Sequence, residues 1–110
     1  DALLLTVAIL ALTLAASAVG VHPIAVIAVV GGVVSASSWG VSSVYFALVL
    51  SISWALGNVV CPASANVVAV ADLMGESPLK ASLRWSGPYV LVASVVLACA
   101  LTLARAAGLV

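Results

Sequence analysis

From Ala2 to Ala71 the chain contains no Asp, Glu, Lys or Arg, and His22 is the only residue of that stretch able to carry a charge near neutral pH. A second uncharged run covers Trp85 to Ala104. No other feature restricts the fold so severely. About 25% of the residues in an ordinary soluble domain are charged, and they form the exterior that keeps it dissolved. Here charged residues make up 5% of the chain and hydrophobic ones 66%. The chain is therefore expected to have the lipid bilayer as its solvent and to fold as one all-α integral membrane domain over residues 1–110. Its formal net charge of zero gives no reason to expect a nucleic-acid partner.

The runs and their interruptions predict the helices. Ala2–Val19 is a continuous apolar run of about 18 residues, roughly 27 Å as a helix and enough to cross hydrocarbon. It stops at Gly20-Val21-His22-Pro23, where Pro23 can open a new helix but not continue the old one. Pro23–Val34 is shorter, about half a membrane, and the Gly31-Gly32 pair permits close backbone approach. Ser42 or Ser43 is placed to cap a third helix, with Trp39 and Tyr45 flanking its start as interfacial anchors. Helices are expected near 2–19, 23–34, 42–57, 66–74, 78–85 and 88–106. Gly75 stands where a helix terminator would, and Ser77-Pro78 reads as an N-cap followed by a first-turn proline.

Between the third and fourth helices lies the least ordinary segment, Gly57-Asn58-Val59-Val60-Cys61-Pro62-Ala63-Ser64-Ala65-Asn66. It has two readings. Gly, Asn, Pro and Ser also gather in wet loops. Yet Val59, Val60, Cys61, Ala63 and Ala65 are apolar for such a loop, and the helix after it, about nine residues, is too short to span alone. The second reading is a discontinuous membrane helix, non-helical across about 58–65. In hydrocarbon, unwound backbone is tolerated only where protein or a polar cavity satisfies it. Secondary transporters use such breaks as sites, with helix N-termini facing anionic groups and freed oxygens holding a coupling cation. On this reading Gly57, Asn58, Cys61, Pro62, Ser64 and Asn66 form the substrate and ion site. Asn58, Ser64 and Asn66 would supply neutral oxygens to a Na⁺ ion, and no other cofactor is expected.

The stretch from Gly20 to Pro88 also resembles the C-terminal end of permeases in the ion transporter superfamily, in particular the large membrane subunit of TRAP transporters. Those subunits carry a Gly-hydrophobic-Asp-Pro element, matched here by Gly20-Val21-His22-Pro23 with His for Asp. Their Gly, two hydrophobic residues, Thr-Pro-Pro-Val-Gly-hydrophobic-Asn motif is matched in register from Gly57 to Asn66, keeping Gly57, Pro62 and Asn66. Val60, Cys61 and Ser64 replace its threonine, first proline and second glycine. Gly75-Glu76-Ser77-Pro78, Lys80 with Arg84, and Pro88-Tyr89 match the remainder. The resemblance implies a Na⁺- or H⁺-coupled carrier of small organic anions in a bacterial or archaeal inner membrane, with the broken helix at its binding site. It also implies a C-terminal part of a larger permease, whose remainder or partner membrane subunits this chain would contact.

Other residues carry weaker signals. His22 can be read as a protonatable switch or as a helix-end residue. Asp72, late in a short helix, can be read as a functional carboxylate or as one reaching the interface. Trp39, Trp85 and Tyr89 fit an aromatic belt, and Trp54 a lipid-facing or core position. Cys61 and Cys99 have no metal-ligand spacing. With no HExxH, no Gly-x-Ser-x-Gly and a single histidine, the chain is not expected to be an enzyme. The alternative to a carrier is a small non-transporting membrane subunit, suited by its Ala, Gly and Ser to close helix packing.

Overall fold

The computed structural model describes residues 2–110, and among these the secondary structure is entirely helical. Five α-helices follow in order: α1 (Ala2–Ala18), α2 (Pro23–Val33), α3 (Ser43–Val60), α4 (Ala65–Met74) and α5 (Gly87–Ala106). A 3₁₀ turn, Ser37–Trp39, precedes α3, and a π-helical segment, Lys80–Trp85, precedes α5. Two segments are long and apolar enough to cross a membrane, Ser43–Met74 and Gly87–Ala106.

Local chemistry sets the helix ends. His22 Nδ1 accepts the Ile24 N–H at 3.3 Å and Pro23 follows as the first helical residue of α2. Ser42 caps α3, its hydroxyl accepting the Tyr45 N–H at 3.0 Å. Gly75 takes φ 68°, a left-handed turn that suits glycine, and its N–H closes α4 on the Ala71 and Asp72 carbonyls. Ser77 Oγ accepts the Lys80 N–H at 3.2 Å, the cap expected before Pro78. The helix it opens widens to i→i+5 bonding, which the sequence does not signal.

The largest interface joins α1 and α3, which run parallel. Thr6 meets Tyr45 near both N-termini, with 2.6 Å between their hydroxyls, and Ser17 meets Gly57 near both C-termini. Because Thr6 Oγ1 already donates to the Ala2 carbonyl at 2.8 Å, the Tyr45 hydroxyl is the donor of the shared bond. Tyr45, expected at an interface, is thus wholly buried, its hydroxyl satisfied between two helices. α2 runs back along this pair, bringing Val30 to Tyr45 and Val41, and Pro23 to Gly57. α5 is antiparallel to α3 on the other side. Val90 packs with Leu10, Leu56 and Val60, Leu101 with Leu5 and Tyr45, and Arg105 donates to the Gly40 carbonyl at 3.0 Å.

Candidate functional site

The chain break between α3 and α4 is shorter than expected. Asn58, Val59 and Val60 belong to α3, and only residues 61–64 leave the helix. Proline accounts for the position. Its ring restricts the residue before it, and Cys61 is accordingly extended (φ −80°, ψ 113°), whereas Val60 remains free to be helical. Gly57 does not start the break. It is a buried helical residue at which a Cβ would lie 2.8 Å from Pro23 Cβ and 2.9 Å from Ser17 Oγ.

Ser64 holds the two helix ends together. Its hydroxyl donates to the Asn58 carbonyl at 2.8 Å, one of the last carbonyls of α3, and accepts the Val67 N–H at 3.3 Å in the first turn of α4. One side chain thereby satisfies an orphan acceptor and an orphan donor. Ser64 is 1% exposed, so its oxygen faces the turn and not an open space. Cys61, fully buried, directs its thiol at the Val21 carbonyl 3.7 Å away. The Gly20–Pro23 turn and the Cys61–Ser64 turn are therefore neighbours, as are Pro23 and Gly57.

Beside the break lies a cavity of about 390 Å³, lined by Trp54, Ala55, Asn58, Val59, Asn66, Val67, Val70, Ala81, Trp85 and Ser86. Of the residues expected at a site, Asn58 and Asn66 reach it. Gly57, Cys61, Pro62 and Ser64 are not part of its lining, and Pro62 sets where the chain turns. His22 is exposed and stands at the start of α2 as its cap. Asn58 Nδ2 donates to the Trp54 carbonyl at 3.2 Å, leaving its second N–H and its Oδ1 for a guest. Asn66 is exposed in the first turn of α4, where unpaired N–H groups and the positive end of the helix dipole lie.

Comparison with protein families, with curated proteins and with solved structures finds no match. The site is therefore described by its own chemistry. It joins two neutral amides, one serine and two indoles, with no ionic side chain in the lining. Sequence reasoning missed Trp54 and Trp85 as cavity walls. The signal was present for Trp54, which lies one helical turn before Asn58 on the same face of α3. For Trp85 there was none, because the π-helical turns that bring it beside Ala81 and Ser86 are not encoded by a recognisable pattern. Also missed was a row of buried hydroxyls between α1 and α3. Thr13, Ser17 and Ser53 are fully buried, and their hydroxyls have no partner among the described residues.

Proposed function

We propose that this chain is part of a secondary active transporter that carries small organic anions across a membrane, coupled to Na⁺ or H⁺, and that α3 and α4 form a discontinuous membrane helix at its binding site. The observation that carries the proposal is the cavity with Asn58 on one side of the Cys61–Ser64 break and Asn66 on the other. Its volume lies within the range of about 300–1,000 Å³ usual for small-molecule sites. Membrane insertion is supported by the exterior. On α5, Leu91, Val92, Val95 and Leu103 are each more than 60% exposed, a surface that water would not tolerate and lipid would. The similarity of the Gly20–Pro88 stretch to ion transporter superfamily permeases points the same way.

A Na⁺ ion at this site would take oxygens from Asn58, Asn66 and backbone carbonyls, since the Ser64 hydroxyl is engaged at both ends of the turn. Asn66 is the residue to test. Its side chain has no hydrogen-bond partner among the described residues, and Ser64, not Asn66, caps α4. Asn66→Ala should therefore leave stability within about 0.5 kcal/mol while abolishing or sharply reducing coupled uptake by the full-length protein in proteoliposomes. Wild-type protein should gain thermal stability from Na⁺ over K⁺, following ln(1 + [L]/Kd), and the variant should lose that gain. Undiminished uptake by the variant would exclude the cavity as the transport site.

A further inference from the structure

Resting on the carrier reading above, we propose that the cavity selects monocarboxylates with a flat apolar body, such as arylacetates, over dicarboxylates. The walls supply the apolar part. Trp54 and Trp85 present two indoles, and Val67 and Val70 add apolar surface to the lining. Aromatic rings pack on indoles in offset or edge-on arrangements, so a flat ring gains more here than a flexible polar chain.

The polar part can compensate one negative charge. Asn58 retains one N–H beyond its bond to Trp54, and the Asn66 amide has no partner among the described residues. Asn66 also stands at the N-terminal turn of α4, and the positive pole of a helix amounts to about half a unit charge. The nearby cations stand outside the lining. Lys80, bonded to Glu76 at 3.0 Å, lies over the Trp85 ring, 5.9 Å from its centroid, and Arg84 is exposed in the same segment. A second carboxylate drawn into the lining would lose its water without meeting an unpaired cationic side chain there, which is costly. No acidic side chain lines the cavity to repel the first.

The indoles provide the readout. In the full-length protein, tryptophan emission would be titrated with phenylacetate, succinate and the neutral phenylacetamide. Phenylacetate should change the emission saturably, with half-saturation at least about tenfold below that of succinate, the scale on which an uncompensated group is rejected. The change should vanish in the Trp54→Phe/Trp85→Phe variant. Asn66→Asp should weaken phenylacetate about tenfold or more by placing like charge beside it, and leave phenylacetamide unaffected. Succinate binding as tightly as phenylacetate would overturn the selectivity, as would equal weakening of acid and amide by Asn66→Asp. No emission change with any of the three compounds would mean that lipid or another part of the protein fills the cavity, and would overturn it too. Uptake into proteoliposomes separates this from the carrier reading. Succinate uptake without phenylacetate binding keeps the carrier and overturns the selectivity, whereas selective phenylacetate binding without uptake of either acid supports the site and overturns the carrier.

Discussion

A methyl group at position 57 would lie 2.8 Å from Pro23 Cβ and 2.9 Å from Ser17 Oγ, closer than a Cβ is found to any neighbour. The backbone there is helical, so alanine would gain up to about 1 kcal/mol in helix propensity. Overpacking costs about 1–3 kcal/mol, and Pro23 cannot rotate out of the way because its ring is tied to the backbone. Gly57→Ala should therefore destabilise the protein, and adding Ser17→Ala should restore only part of the loss. Melting curves in detergent for the single and double variants check both statements. The opposite sign is expected one turn away on each helix. Thr13 and Ser53 bury hydroxyls that have no partner among the described residues. Their desolvation is uncompensated, so Thr13→Val and Ser53→Ala should each raise stability by about 1 kcal/mol. Unchanged or lowered melting temperatures would show that those hydroxyls are bonded, to an internal water or to a backbone carbonyl one turn back.

At the scale of elements, the turn between α3 and α4 depends on one hydroxyl. Ser64→Ala removes the N-cap of α4 and leaves the Asn58 carbonyl without its partner, so it should cost at least the cap value of about 0.5–2 kcal/mol. Asn66→Ala, two residues on, should cost far less. Comparing the two melting temperatures tests whether Ser64 holds the turn while Asn66 serves the cavity. How much of this was legible beforehand depended on the kind of signal. Helix ends written in side-chain chemistry, at Pro23, Ser42, Gly75 and Ser77-Pro78, were readable because capping and φ preferences act within a few residues. A turn at Pro62 is also readable, but the sequence places it across 58–65, whereas only 61–64 leave the helix; Gly57, the last residue of the expected third helix, lies within α3 and admits Ser17 and Pro23. A glycine required by a distant helix looks the same in sequence as one required by a local turn. The cavity was half legible for a similar reason. Asn58 and Asn66 stood out by type, whereas Trp54 and Trp85 became walls only through α3 and the π-helical segment coming together.

For the whole molecule, the distribution of charge sets an orientation. Lys80 and Arg84 lie at the end that carries the α3–α4 break and the start of α5, and Arg105 lies at the opposite end beside Gly40. If α5 crosses the membrane, the excess of basic residues places the Lys80–Arg84 end in the cytoplasm and the C-terminal end outside. Leu79, which is 55% exposed, offers a labelling position at the Lys80–Arg84 end. With Cys61 and Cys99 replaced, Leu79→Cys and Gly108→Cys should react with impermeant thiol reagents from opposite sides. Reaction of both from one side would contradict the arrangement.

The parallel pairing of α1 and α3 has a consequence for how the chain is made. Parallel neighbours cannot be joined by a tight hairpin. The contacts between them link residues 39 and 40 apart in sequence, as Thr6 to Tyr45 and Ser17 to Gly57 show. During synthesis α1 is complete well before α3 exists, so its largest interface stays unmade while the ribosome adds the return leg. In that interval Thr6, Thr13 and Ser17 have no α3 beside them, and the nearest acceptors are carbonyls of their own helix, one turn back, of the kind Thr6 keeps in the finished fold. Nascent chains arrested before Tyr45 should accordingly hold α1 loosely, and those extended past Gly57 should hold it firmly, with the change falling at a chain length set by the third helix and not the first.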